Sequence, residues 1–104
     1  MQCVTIRDEL AAAPGERKVP VARGDHCRVT LWRLQPGQEI APHTHVGDHV
    51  WVVQEGNGWL LAPEGEVPVG AGTVALIPEG EPHGMRAGEE LVFVSVSAAP
   101  SGNG

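Results

Sequence analysis

The sequence predicts an all-β sandwich or barrel folded as a single domain, and three observations carry that prediction. Apolar residues recur at every second position in runs such as Cys27 to Leu34 and Leu91 to Ser97, the period of a pleated strand. The 14 glycines and 9 prolines among 104 residues suit many short strands joined by turns. Almost no stretch carries helical spacing, so alternating strand–helix architectures are disfavoured.

The bulk numbers narrow the function classes. A chain of 104 residues is long enough for one core without obligatory staples. A formal net charge of -6 argues against nucleic acid or an anionic membrane surface as the main partner. No apolar run approaches the roughly 18 residues of a membrane span, and the N-terminus lacks a basic region followed by an apolar stretch. Cys3 and Cys27, neither of them in a CxxC, make no disulfide framework. A reduced, cytoplasmic protein is therefore the expectation.

Residues 1–18 read as a lead-in. Val4 to Ile6 offers a short edge strand. Alternatively, Thr5 followed by Asp8 resembles a capping arrangement for one or two helical turns through Ala13, ended by Pro14-Gly15. So short a helix needs Ile6 and Leu10 to pack on something. The barrel is expected over 19–97. Val19-Pro20-Val21 is a weak edge strand and Arg23-Gly24-Asp25 a turn. Cys27 to Leu34 alternates between Val29/Leu31/Arg33 and Arg28/Thr30/Trp32/Leu34. Each set holds an arginine, so periodicity does not choose the inward face.

After Pro36-Gly37 turns the chain, the stretch to Gly56 reads as strand, turn and strand, and the next strand continues through Trp51-Val52-Val53. Gly56-Asn57-Gly58 is expected to close a hairpin onto Trp59 to Ala62. Ala62-Pro63-Glu64-Gly65 has the proline and glycine of a type I turn. Strands at Glu66 to Val69 and Thr73 to Ile77 follow, then a stiff loop Pro78 to Pro82 that delivers His83. Leu91 to Ser97 is the final strand, and 98–104 a loose tail.

The chemistry concentrates in Pro36 to Gly56. His43 and His45 are two apart and share a strand face, and His49 follows the turn Val46-Gly47-Asp48. Imidazoles converging from neighbouring strands suit a transition metal ion. The spacing carries a family resemblance. Gly37, five residues, His43-Thr44-His45, three residues, His49, six residues and Gly56 resembles the first cupin motif, G-x5-H-x-H-x3–4-E-x6-G. Gly72, five residues, Pro78-Glu79-Gly80, two residues and His83 resembles the second, G-x5-P-x-G-x2-H-x3-N. Two positions depart from it: His49 stands where the first motif has glutamate, and Ala87 where the second has asparagine.

The resemblance implies a cupin-type double-stranded β-helix, or jelly-roll barrel, holding one divalent transition metal ion on His43, His45, His49 and His83. Four neutral imidazoles cancel none of the ion's charge, so the site would favour anionic ligands and act as a strong Lewis acid. All-nitrogen donors suit Mn, Fe, Co, Ni, Cu or Zn and disfavour Mg and Ca. The function implied is a small metalloenzyme acting on a small organic molecule, with dioxygenase-like oxidative chemistry favoured. Isomerase, lyase or decarboxylase chemistry is the alternative, as is a non-catalytic metal- or ligand-sensing domain. A metal-free or sugar-binding cupin is a weaker reading. A homodimer is also implied, paired through an edge near Val4 or Val19.

Trp51 and Val53 share the parity of His49 and are expected to line the cup. Arg33, if inward, would bind a substrate carboxylate, its rival reading being a solvated strand arginine. Phe93 and Ser95 are candidates for the opposite wall. His26 reads as a surface residue and Cys27 as a small core residue. Glu39, Asp48 and Glu79 read as solvated loop acids.

Overall fold

A computed structural model describes residues 1–98. One helix, α1 (Ile6–Ala12), precedes nine strands: β1 (Lys18–Arg23), β2 (Cys27–Leu34), β3 (Glu39–His43), β4 (His49–Glu55), β5 (Asn57–Ala62), β6 (Gly65–Gly70), β7 (Val74–Ile77), β8 (His83–Ala87) and β9 (Leu91–Ala98). They form two antiparallel sheets, one five-stranded in the order β1-β2-β9-β4-β7 and one four-stranded in the order β3-β8-β5-β6. This is the expected jelly-roll barrel. Ala98 ends β9 rather than opening a tail, and 99–104 lie outside the described residues.

The core lies between the sheets. Leu34, Trp51, Ile77, Leu91 and Phe93 face it from the larger sheet, and Ile40, Val69 and Met85 from the smaller. Strand register explains why only one end of this core is apolar. Leu34 pairs with Leu91, Trp32 with Phe93, Thr30 with Ser95, and Arg28 with Ser97. On the other flank of β9, Val53 pairs with Phe93, Trp51 with Ser95 and His49 with Ser97. Three neighbouring strands therefore pass from apolar to polar residues at the same level. One end of the barrel packs shut, and the other opens as a polar cup.

The register also settles the face of β2. Arg28, Thr30, Trp32 and Leu34 point inward, and Arg33 points away from the cup. Its guanidinium donates to the carbonyls of Leu10 (3.2 Å), Ala13 and Glu16 (3.1 Å), the acceptors left over where a helix ends. Arg33 is thus neither a substrate ligand nor a solvated arginine; it holds α1 against the barrel. Val4 to Ile6 forms no strand. Thr5 takes the N-cap position, but its side chain makes no capping bond.

Gly56 does not close a hairpin. β4 belongs to the larger sheet and β5 to the smaller, so the chain crosses the barrel at Gly56, whose φ is +82°. A Cβ there would run into the Glu90 carbonyl. β5 instead pairs with β6 through the expected turn, with Ala62 opposite Gly65. β8 has no counterpart among the strands read from the sequence. His-Gly-Met-Arg-Ala is a poor strand signal because Gly84 is required where β3 comes close: a Cβ would meet the Pro42 nitrogen at 2.9 Å. His26 is exposed as expected. Cys27 is exposed too, because it starts β2 at the rim rather than entering the core.

Candidate metal centre and ligand cavity

β3 and β8 bring His43 directly opposite His83. His49 opens β4 on the facing sheet, and His45 lies in the loop between β3 and β4. His43, His45 and His83 each offer a ring nitrogen within 4.8 Å of the others, a cluster able to hold a metal ion. The His49 ring stacks on His45 with centroids 4.3 Å apart and lies 5.4 Å from His83.

Backbone carbonyls orient two of these rings. His43 Nδ1 lies 2.8 Å from the Ala41 carbonyl oxygen, and His83 Nδ1 lies 2.9 Å from that of Glu81. A carbonyl only accepts, so each Nδ1 carries the hydrogen, and in the neutral ring Nε2 keeps its lone pair. In metal sites this contact fixes tautomer and ring orientation. His83 is 2% exposed, and its Nε2 is buried without a hydrogen-bond partner. An orphaned buried acceptor is costly. An ion at the centre of the cluster would satisfy it, so the donor set fits a metal.

The two histidine-bearing loops are fastened to each other. The Glu79 carboxylate accepts from the Gly47 N–H at 2.5 Å, and the Asp48 carboxylate accepts from the Glu79 N–H at 3.0 Å. The Gly80 N–H donates to the His45 carbonyl at 3.1 Å. Asp48 and Glu79 are exposed, as expected for loop acids, yet their carboxylates fix the approach of His45 and His49 to His83. Glu39 is exposed and lies 3.8 Å from Arg86 in an ion pair.

Electrostatics favour the neutral form of His45, His49 and His83. Burial holds the His45 pKa down, to about 4, and repulsion from His49, His43, His83 and Arg28 adds to the effect. His49 is lowered by burial and then by His83, against hydrogen bonding with the backbone of Gly47 and Asp48. Burial also lowers His83, against its bond to Glu81. Neutral imidazole is the form that binds a metal.

Beside the cluster lies a cavity of about 250 Å³ lined by His43, His45 and His49 together with Trp51 and Ser95. Two of the expected lining residues are therefore in place. Val53 and Phe93 sit deeper: both are buried in the core, and Phe93 supports the cavity from behind Trp32 and Trp51. The expected role of Arg33 falls away. Sequence reasoning missed Lys18, Arg23, Arg28, Thr30, Trp32 and Ser97 on the same wall. For Arg28, Thr30 and Trp32 the signal was the alternation of β2, usable only with its register against β9.

A family model described as "Cupin domain" matches residues 30–97. No curated protein sequence matches the chain. Among solved structures, the chain is similar to an uncharacterised conserved protein with a double-stranded β-helix domain from Klebsiella pneumoniae. The two share 28% identity at TM-score 0.83, over 100% of this chain and 94% of that one. The polyketide cyclase RemF from Streptomyces resistomycificus is 28% identical at TM-score 0.76, covering 94% and 79%. A cupin-2 domain protein from Shewanella frigidimarina shares the fold at 21% identity and TM-score 0.79, covering 91% and 93%.

Proposed function

Given that the chain belongs to the cupin family, we propose that it is a metal-dependent enzyme acting on a small organic molecule. One divalent transition ion would be held by His43, His45, His49 and His83. The observation that carries this reading is the unpartnered, buried Nε2 of His83 inside a convergent imidazole cluster. The ion would supply Lewis acidity and, for a redox metal, access to dioxygen.

The chain's own residues do the rest. Ala41 and Glu81 hold two rings by their carbonyls, while Asp48 and Glu79 join the loops. Trp32 and Trp51 make apolar walls that limit water around the substrate. Of the reactions compatible with this arrangement, oxidation of the dioxygenase type is favoured by the resemblance to four-histidine cupins, and four neutral donors would leave the ion's charge uncancelled for an anionic ligand. The likeness to a polyketide cyclase favours a second reading, in which the site polarises a substrate carbonyl and stabilises an enolate without oxidation.

Oxygen consumption separates the two when 1,3-diketones and phenols are supplied to protein purified without added metal. Turnover that consumes oxygen and is lost in His45→Ala supports the oxidative reading. Conversion without oxygen uptake supports the cyclase-like one. Absence of turnover with every such compound, in protein that carries its metal, contradicts both.

A further inference from the structure

The cavity beside the histidine cluster sorts charge in a way the whole chain does not. Lys18, Arg23 and Arg28 line it, three of the seven Lys and Arg residues, while none of the thirteen Asp and Glu residues does. In a chain of net charge -6, this makes the cup the cationic part of an acidic molecule. Low-dielectric walls concentrate that field on whatever enters.

Arg28 has the most specific position. It pairs with Ser97 across β2 and β9, and Ser97 pairs with His49 across β9 and β4. Arg28 and His49 thus flank one serine in one inward row. Strands lie about 4.8 Å apart, so their backbones are separated by roughly 10 Å, and both side chains line the one cavity.

A second polar group waits on the same wall. Trp51 is 3% exposed and lines the cavity, and its indole N–H is buried with no hydrogen-bond partner. An indole N–H only donates, so the group that completes it is an acceptor. Beside the hydroxyls of Thr30, Ser95 and Ser97, indole and aliphatic side chains give the wall its apolar faces. Trp32 lies stacked on Phe93 with an interplanar angle of 8°, and Ile40 and the Trp51 ring face the same space. At about 250 Å³ the cavity is smaller than the 300–1,000 Å³ typical of drug-sized ligands.

We infer that this cavity is a recognition site for a small planar organic carboxylate, with Arg28 as its charge partner and the Trp51 N–H as a second donor. The inference rests on the reading of the same cup as an enzyme's substrate site and names the class of substrate it takes. Arg28 supplies the carboxylate contact that the sequence had offered to Arg33. A planar guanidinium suits a carboxylate through two parallel hydrogen bonds, and the indole faces suit a conjugated body.

Calorimetric titration with benzoate and with benzamide, which has the same shape without the charge, tests this. The titrations use the full chain both as purified and after metal removal by a chelator. Benzoate is expected to bind at least about tenfold more tightly than benzamide in both forms, the scale of one charge-assisted contact. Arg28→Gln should abolish the preference and Arg28→Lys should keep part of it. Arg7→Gln, the same charge change at a distant exposed site, should leave it intact. Equal binding of the two probes, binding of neither, or a preference that survives Arg28→Gln overturns the inference. If the protein holds no metal but prefers benzoate through Arg28, the anion site stands and the metal-enzyme reading falls. If it holds metal and shows no preference, only the anion site falls.

Discussion

His83 Nε2 is a buried acceptor without a partner in an interior that tolerates few such atoms, and its neighbours are three more imidazoles. The depressed pKa values of His45, His49 and His83 have a consequence for the metal-free protein. Because the folded pKa of His45, about 4, lies below its ordinary 6.5, the unfolded chain takes up protons first on acidification. Stability contributed by the neutral ring is therefore complete above pH 6.5 and is lost as pH falls toward 4. Thermal denaturation of chelator-treated protein across that range should show a steeper decline for the wild type than for His45→Gln; parallel declines contradict it. The cluster of His43, His45 and His83 was legible in the sequence through the cupin-like spacing of glycines, proline and histidines. Arg28 was not, because both alternating sets of Cys27 to Leu34 contain an arginine and only pairing with β9 separates them.

Among the elements, β2, β4 and β9 set the polarity of the barrel, and the Arg33 side chain of β2 holds the end of α1. The helix has seven residues, none of them buried, too few for stability on their own. Arg33→Ala should release it and destabilise the protein by about 1–3 kcal/mol in urea denaturation, the range for losing hydrogen bonds from a charged group, with metal content unchanged. Loss of metal in that variant would show that α1 supports the cup. The loop clamp makes a separate prediction. Asp48→Ala removes the acceptor for the Glu79 N–H and should weaken metal affinity by about tenfold, as outer contacts of metal ligands do, in a competition titration against a chelating dye. Strand positions were largely legible from alternation and turn residues. The crossing at Gly56 was not, because a glycine-flanked pair of strands gives the same local pattern whether the strands pair or part. β8 was missed because its glycine serves a close approach from β3, a contact distant in sequence.

Over the whole molecule, the outer face of the five-stranded sheet is apolar where the cup is polar. Val50, Val52, Val94 and Val96 are half-buried on it, while Val74 and Leu76 are 64% and 67% exposed. Two chains of net charge -6 would meet with least repulsion on the valine and leucine part of this face, away from Arg33, and a self-complementary face suits a two-fold pair. The homodimer implied by the sequence is therefore better placed on this face than on the edge at β1, which the helix-bearing lead-in approaches. Light scattering is expected to report a dimer that Leu76→Lys converts to a monomer. A monomeric wild type, or a dimer indifferent to Leu76→Lys, contradicts that placement.

The central claim is that the four imidazoles form one metal centre, and elemental analysis of protein purified without added metal tests it most directly. The account predicts about one divalent transition ion per chain in the wild type. It predicts loss of that ion in His45→Ala and in His83→Ala, with metal retained in His49→Glu, which restores the carboxylate of the family motif. Equal metal in the wild type and in the alanine variants, or none in any of them, would contradict the account.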